Sequence, residues 1–223
     1  MGVPDYALVI GNKNYSSWSL RPWLAMRKFA IPFAEINVDI YSAGKRKRIL
    51  EHSPSALVPA LKADGRVIWD TLAILETLAE RHPEHAFWPA DPAARALARS
   101  VSAEVHSGFS DLRNEMPMDL LHEKRVETIP ESVVRDIARI VEIWRMCRSA
   151  HGDGGSFLFG AFTIADAMYA PVASRLRTYV GDLSGFGDDN TAADFIETIF
   201  SMAEMDEWAA SARAELNAGG NTC

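Results

Sequence analysis

Apolar and polar residues follow two different periods in the first third of the chain. Residues 6–10 form a short apolar run, which is typical of a buried strand, and residues 33–39 alternate as a half-buried strand does. The predicted elements are, in order, a strand over 6–10, a helix over 24–30, a strand over 33–39, a short helix or turn over 45–52, a hairpin pairing 60–61 with 67–69, and a helix over 71–81. This order predicts a mixed sheet covered by helices on both faces, the thioredoxin-like arrangement.

The rest of the chain has only helical patterns. Three prolines within 83–92 indicate a linker. The predicted helices cover 93–116, 131–150, a segment beginning at 163, 191–202 and 205–216. We therefore predict a thioredoxin-like α/β domain over 1–82, a linker over 83–92 and an all-helical domain over 93–223.

Composition narrows the function classes. The chain has 223 residues and a net charge of −7, which argues against general nucleic-acid binding. Residues 1–82 hold 11 Lys+Arg and 8 Asp+Glu, so the N-terminal part is basic within an acidic protein and suits a small anionic ligand. No window is apolar enough for a membrane span. Cys147 and Cys223 give neither a disulfide framework nor a metal site, so we expect a cytoplasmic protein without a metal.

The segment 11–23 joins the first strand to the first helix and carries three serines. Serine is a preferred N-cap, and Pro22 suits a first helical turn, so the segment begins a helix in any case. The same N-terminus offers free N–H groups and the positive end of a helix dipole to an anion or thiolate. The motif alone does not distinguish a capped helix start from an anion or thiolate site.

Two further motifs follow in order. Pro59 stands just before the predicted hairpin, where proline marks an edge position or a cis turn, and a cis bond would expose the backbone of Val58 to an extended peptide. Asp70 and Thr71 stand at the N-terminus of the next helix, which is a second anion-binding position.

Taken together, residues 16–21, 58–61 and 70–71 resemble the N-terminal domain of cytosolic glutathione transferases. The sequence Ser-Ser-Trp-Ser-Leu-Arg at 16–21 is similar to the Ser-Ser-Cys-Ser-x-Arg signature of the serine-type, zeta-like branch, which is related to maleylacetoacetate isomerase. The N-terminal 82 residues contain no cysteine, so disulfide exchange at this helix is excluded. The resemblance covers essentially the whole chain.

The resemblance implies a role for each motif. Ser16 matches the catalytic serine that stabilises the thiolate, with Ser17 as the fallback and Tyr15 as a tyrosine-type alternative. The residues implied to bind glutathione are Val58 and Pro59 at its cysteinyl part, Asp70 and Thr71 at its γ-glutamyl end, and Lys45 or Arg48 at its glycine carboxylate. Aspartate and threonine replace the Glu or Gln and the Ser of the family pattern.

The resemblance also assigns the second-substrate pocket to the helical domain. The candidate residues are His106, Arg113, Met116, Met118, Tyr169 and Arg175, and each has a packing alternative. Two positions depart from the zeta pattern. Trp18 stands in place of the cysteine, and the family's substrate-binding arginine, seven residues after Pro171, is Thr178 here with Arg175 nearby.

We therefore expect an enzyme that activates glutathione with a serine hydroxyl and conjugates it to a small electrophile. The alternatives are glutathione-dependent isomerase, dehalogenase or peroxidase chemistry, or a non-catalytic binding protein with the same fold. The expected partners are glutathione, as substrate or cofactor, a small electrophile and a second copy in a homodimer, with neither nucleic acid nor membrane.

Overall fold

The fold is taken from a computed structural model that describes residues 5–219. The elements are β1 (Tyr6–Gly11), α1 (Ser17–Lys28), β2 (Ala34–Val38), α2 (Lys45–Leu50), β3 (Ala60–Ala63), β4 (Arg66–Trp69), α3 (Thr71–Arg81), α4 (Pro92–Ser107), α5 (Ser110–Glu115), α6 (Glu131–His151), α7 (Ile164–Tyr179), α8 (Thr191–Phe200) and α9 (Ala203–Gly219), with a 3₁₀ turn at Ser184–Phe186. A thioredoxin-like sheet with helices followed by an all-helical part confirms the predicted fold class.

The four strands form one mixed sheet in the order β2-β1-β3-β4. β1 pairs parallel with β2 and antiparallel with β3, and β3 pairs antiparallel with β4. The hairpin turn is at Asp64 and Gly65, both with positive φ (49° and 72°), which is the backbone that an Asp-Gly turn supplies. The central strand β1 is almost entirely buried, as its apolar sequence predicts.

The helical part differs from the prediction at one place. The sequence predicts one helix over 93–116, but α4 ends at Ser107 and α5 begins at Ser110. Phe109 adopts φ +57°, a left-handed conformation that no α-helix accommodates. The Asp136 carboxylate on α6 accepts the Leu112 N–H of α5 at 3.0 Å. A tertiary contact therefore accompanies a break that local periodicity does not reveal.

A capping box formed by Thr163 and Asp166 begins α7. Thr163 caps the helix through the Ala165 N–H, and the Asp166 carboxylate accepts from the backbone N–H and the hydroxyl of Thr163. Asp166 also accepts from the Leu158 N–H at 2.9 Å, so it ties the preceding loop to the helix. Burial raises the pKa of Asp166 to about 6.

One apolar core extends through both parts of the chain, from Leu8 in β1 to Trp208 in α9. α1 packs against α7, and the indole of Trp208 donates to the Lys13 carbonyl at 2.8 Å. The sheet and the helical part therefore meet along α1. Over the part of the chain that the structure describes, no helix has the length and apolar character needed to cross a bilayer.

Candidate active site

The β1–α1 junction holds three serine hydroxyls in a small volume. Ser16 Oγ donates to Ser19 Oγ at 2.7 Å, and Ser19 Oγ also accepts from the Gly11 N–H at 3.1 Å. A Cβ at Gly11 would lie 3.2 Å from Ser16 Oγ and 2.9 Å from Cγ2 of Ile40, so only glycine lets the strand pass this close. Ser17 Oγ accepts from Nη2 of Arg175 at 3.3 Å.

The first turn of α1 also offers backbone donors. Ser16 is the N-cap residue of α1, and the first intrahelical bond runs from the Leu20 N–H to the Ser16 carbonyl at 3.2 Å. Among residues 5–219, the N–H groups of Trp18 and Ser19 have no acceptor, as is usual for a first turn. Hydroxyls, free N–H groups and the helix dipole thus favour negative charge at one place.

A groove runs from this junction across the edge of the sheet. We define the Ser16 cavity as a space of about 490 Å³ beside α1 and α2. It is lined by Tyr15, Ser16, Ser17, Trp18, Ile40, Tyr41, Lys45, Arg46, Ile49, Ala56, Leu57 and Val58. We define the Asp70 cavity as the neighbouring space of about 400 Å³. It is lined by Trp18, Ser55, Leu57, Val58, Pro59, Trp69, Asp70, Thr71 and His106.

Val58 lines both cavities and therefore stands at the middle of the groove. The Val58–Pro59 bond is cis. Within the described range 5–219, neither the N–H nor the carbonyl of Val58 has a hydrogen-bond partner. Both groups are thus free to pair with an extended peptide in the groove.

The Asp70 cavity ends at the N-terminus of α3. One carboxylate oxygen of Asp70 accepts from the Leu72 and Ala73 N–H groups, at 2.9 and 3.4 Å, and caps the helix. The other oxygen lies 3.1 Å from Nε2 of His106 on α4. Asp70 adopts φ +75°, a strained conformation for a residue with a side chain, and such outliers concentrate at binding sites. The Thr71 hydroxyl donates to the Trp18 carbonyl at 3.3 Å, which links α3 to α1.

The basic residues of α2 divide between two roles. Lys45 and Arg46 line the Ser16 cavity. The Arg48 guanidinium instead donates to the carbonyls of Ala43 and Asp39 and to the Ser42 hydroxyl, so it closes the preceding loop and lies outside the lining of both cavities. The sequence places the two arginines on one basic stretch and does not distinguish them.

Three arginines lie behind Trp18. The guanidinium carbons of Arg21 and Arg113 lie 4.2 and 4.9 Å from the Trp18 ring centre. Burial lowers the pKa of Arg21 well below its ordinary value, and the neighbouring Arg113 and Arg175 charges lower it further. Burial, with Arg113 second, lowers the pKa of Arg175 to about 9. These groups line neither cavity, and they place positive charge behind Trp18 and beside Ser17.

Several predicted pocket residues lie elsewhere. Tyr169 is buried and donates to the Val101 carbonyl at 3.1 Å, and Met116 and Met118 are buried in the core. None of these three lines either cavity. Their apolar side chains pack in the helical core. The periodicity of the sequence marks a position as buried and does not show whether it faces the core or a pocket. Thr178 donates to the Asp119 carbonyl at 3.1 Å, so Arg175, and not Thr178, reaches the serines.

His106 and Arg113, by contrast, lie near the groove. His106 lines the Asp70 cavity, and its ring meets the Trp18 ring edge-on at 5.3 Å. Arg113 lies behind Trp18 and donates to the carbonyls of Gly108 and Val105 at the end of α4. Tyr15 lines the Ser16 cavity, with its ring against Tyr41 at 5.3 Å.

Sequence analysis gave no site role to several lining residues, among them Trp18, which lines both cavities, Arg46 and Trp69. It also gave none to Arg21, which lies behind Trp18 and belongs to the 16–21 motif. Nothing local marks Trp69, whose side chain is half exposed at the end of β4.

Comparison with known proteins agrees with this architecture. The family model for the glutathione S-transferase N-terminal domain matches residues 15–81. A probable maleylacetoacetate isomerase from Caenorhabditis elegans is 38% identical over 178 residues, covering 78% of this chain and 80% of the relative. Maleylacetoacetate isomerase from Rattus norvegicus is 27% identical, covering 78% and 79%.

Solved structures share the fold. A glutathione transferase homologue from Burkholderia, solved with bound glutathione, superposes with a TM-score of 0.67 at 21% identity, covering 94% of this chain and 98% of that one. Poplar glutathione transferase F1 gives a TM-score of 0.73 at 16% identity, covering 96% and 100%.

A thioredoxin-like domain with an open groove, joined to a helical domain, is the architecture of a glutathione-dependent enzyme. The chain belongs to the glutathione transferase family, in the zeta-like branch that includes the maleylacetoacetate isomerases. Its substrate or cofactor is accordingly glutathione.

Proposed function

We propose that a serine hydroxyl at the β1–α1 junction donates a hydrogen bond that stabilises the glutathione thiolate, whose proton passes to water, and that the thiolate then adds to a small electrophile. One observation carries the proposal: the groove that contains the free Val58 backbone and the Asp70 carboxylate also contains the hydroxyls of Ser16 and Ser17. A tripeptide with a central thiol needs a partner for its backbone, a partner for its charged end and a donor for its sulfur within one groove.

The groove suggests a binding mode. The cysteinyl backbone of glutathione pairs with Val58, which puts the γ-glutamyl end in the Asp70 cavity beside Thr71. The amino group of that end meets the Asp70 carboxylate. The glycine carboxylate then lies in the Ser16 cavity near Lys45 and Arg46. Arg48 is left out of this mode because its guanidinium is occupied by the loop.

The electrostatics support thiolate formation. The thiolate is the nucleophile, and nearby positive charge and donors lower the thiol pKa. Ser16 is the leading donor. Without a ligand, the Ser16 hydroxyl donates to Ser19 Oγ. When a thiolate binds, the Ser16 hydroxyl can turn and donate to the sulfur, because the Ser19 hydroxyl can then donate to Ser16 Oγ. Ser17 is the second donor, and its oxygen already accepts from the Arg175 guanidinium.

Glutathione-dependent isomerisation is the second candidate, and the maleylacetoacetate isomerase relatives favour it. In that reaction the thiolate adds to a double bond, the new single bond rotates, and loss of the thiolate returns free glutathione. Both candidates share the serine step and differ in whether the electrophile keeps the sulfur. Trp18 in place of the family's cysteine narrows the space beside the sulfur.

We propose further that the enzyme is a cytoplasmic homodimer. The support is family membership. Sedimentation equilibrium tests the dimer, and a monomer at micromolar concentration would contradict it.

Single serine substitutions test the proposed function. We expect Ser16→Ala to lower kcat/KM by about 10²-fold, the loss typical of removing one donor to a developing anion. We expect Ser17→Ala to lower it by about 10-fold or less. Turnover is measured with a panel of electrophiles and with a maleyl-type isomerisation substrate, and glutathione affinity by calorimetry.

Each outcome discriminates. A large loss in Ser17→Ala alone would move the role to Ser17. Unchanged turnover in both variants would remove serine activation. Consumption of glutathione in step with substrate supports conjugation, whereas constant glutathione with complete turnover supports isomerisation.

A further inference from the structure

Three potential metal ligands converge where α3 meets the linker, away from the groove. Nδ1 of His82 lies 3.2 Å from Oε1 of Glu84, and Nε2 of His85 lies 3.8 Å from the same oxygen. All three ligand atoms lie within 4.8 Å of one another. From this geometry we propose that His82, Glu84 and His85 form a binding site for a zinc-class divalent cation.

The separations suit such a cation. Zn²⁺ bonds nitrogen and carboxylate oxygen at about 2.0–2.2 Å, so neighbouring ligands of a tetrahedral site lie about 3.3 Å apart. The observed separations of 3.2 and 3.8 Å are close to this value. Two imidazoles and one carboxylate favour Zn²⁺ or a neighbouring transition metal over Mg²⁺ or Ca²⁺, which prefer oxygen ligands. One coordination position remains for water.

Two aromatic residues, the buried Tyr6 and the partly buried Phe29, contact the imidazoles. The hydroxyl of Tyr6, a buried residue of β1, lies 3.0 Å from Nε2 of His82. A hydroxyl can accept as well as donate, so Tyr6 supports the tautomer in which Nε2 carries the hydrogen and Nδ1 ligates. The His85 ring packs against Phe29, with centroids 5.4 Å apart.

Glu84 carries the charge that the site needs. Its carboxylate is exposed and lies within reach of both imidazoles, so it supplies one negative charge to a bound cation.

The site lies apart from the groove. His82 directly follows α3, whose 11 residues span about 16 Å and separate it from Asp70 at the other end. A metal here joins the linker to the end of α3, next to Tyr6 of β1 and to Phe29, which directly follows α1. Its role is therefore to fasten the linker to the N-terminal domain, and the proposal does not depend on the proposed function.

Calorimetric titration with Zn²⁺ tests the site, using the tag-free full-length protein after chelator treatment and without glutathione. We expect one equivalent to bind at micromolar metal, and Co²⁺ to give the visible spectrum of a tetrahedral site. Glu84→Gln and His85→Ala should each weaken binding at least about tenfold. Zn²⁺ at 100 times Kd should raise Tm by about 5 °C in the wild type and not in His85→Ala.

The matched control is His122→Ala, because His122 also pairs with a carboxylate, Asp119, at 2.7 Å but has no second imidazole in its cluster. It should bind Zn²⁺ as the wild type does. The proposal would be overturned if Zn²⁺ showed no saturable binding to the wild type, or if His85→Ala bound Zn²⁺ as tightly as the wild type. It would also be overturned if His122→Ala lost as much affinity as His85→Ala. His85→Ala and Glu84→Gln leave the Tyr6–His82 contact in place, so the test does not depend on His82 variants that disturb the fold.

Discussion

At the scale of single residues, the arginines behind Trp18 are the unusual feature. Arg21, Arg113 and Arg175 make no salt bridge within residues 5–219, and both terminal nitrogens of Arg21 are buried without a partner. Buried charge without a counterion is costly. In the proposed mechanism, a thiolate at Ser16 and Ser17 would place a negative charge beside these arginines, which would offset the cost and favour the ionised thiol.

Arg175 gives the sharpest test of this effect. We expect Arg175→Met to raise the pKa of the bound glutathione thiol by about one unit, because a positive charge next to Ser17 is lost. The thiolate then forms at higher pH. At pH values below the thiol pKa, kcat/KM of the variant should be about tenfold lower than that of the wild type, and it should recover at alkaline pH. The measurement is ultraviolet thiolate absorbance against pH, with kcat/KM profiles alongside.

The control is Arg175→Lys, which keeps the charge and should keep the thiol pKa closer to that of the wild type. A uniform loss of rate at every pH in Arg175→Met would indicate a structural role only, because Arg175 also donates to the Met116 carbonyl at 2.9 Å.

Cys147 is a thiol without a chemical role in the mechanism. It is fully buried on α6, and burial raises its pKa to about 12. In a Cys223→Ser variant, where Cys147 is the remaining thiol, a maleimide should not label the folded protein at pH 8 and should label it fully in denaturant. Rapid labelling without denaturant would contradict the burial.

At the scale of elements, the N-termini of α1 and α3 define the groove. At the start of α3, one oxygen of Asp70 caps the helix, and the other lies 3.1 Å from Nε2 of His106, which also lines the Asp70 cavity. Asp91 has the capping function alone, since its carboxylate accepts from the Ala94 N–H at 2.8 Å at the start of α4. A comparison of Asp70 and Asp91 variants therefore separates the effect of helix capping from the effect of the proposed contact with glutathione.

We expect Asp70→Ala and Asp91→Ala each to lower the free energy of unfolding by about 1 kcal/mol, the usual loss for an N-cap. Only Asp70→Ala should also weaken glutathione binding, by about tenfold or more, because a charge-assisted hydrogen bond to the amino group is lost. Urea unfolding and calorimetry measure the two effects. Equal glutathione affinity in the two variants would remove Asp70 from the binding site.

At the scale of the whole molecule, the two parts of the chain share one core. The Trp208 and Trp23 rings meet at 4.9 Å, and Lys13, nearly buried, pairs with Glu35 at 2.7 Å beside both. Hydrogen bonds from Lys13 and Trp23 outweigh the burial of Glu35 and lower its pKa. α9 therefore stabilises the N-terminal domain from the far end of the sequence.

We expect Trp208→Ala to lower the free energy of unfolding by about 3–5 kcal/mol, as a large cavity does. The loss should appear in one cooperative transition, monitored by far-ultraviolet circular dichroism and by the ability to bind glutathione. Leu216→Ala, on the exposed face of the same helix, is the matched control and should change stability little. Two separate transitions in the wild type would contradict a shared core.

The sequence by itself determined which segments become strands and helices and where most of them begin. Hydrophobic period selects the element, and residues such as Asp70 and Thr163 fix helix starts through bonds to their own neighbouring backbone. These interactions are local in sequence, so they can be predicted without knowledge of the tertiary structure. The order of motifs at 16–21, 58–61 and 70–71 also identified the family.

Only the tertiary structure decided which side chains meet. Ser17 and Arg175 are 158 positions apart, and Asp70 meets His106 only because the fold brings the end of α4 to the start of α3. The break between α4 and α5 and the loop contacts of Arg48 depend likewise on distant partners. Local patterns encode backbone geometry and the buried face of each element. The partner of a charge is set by how the elements pack, which no local pattern contains.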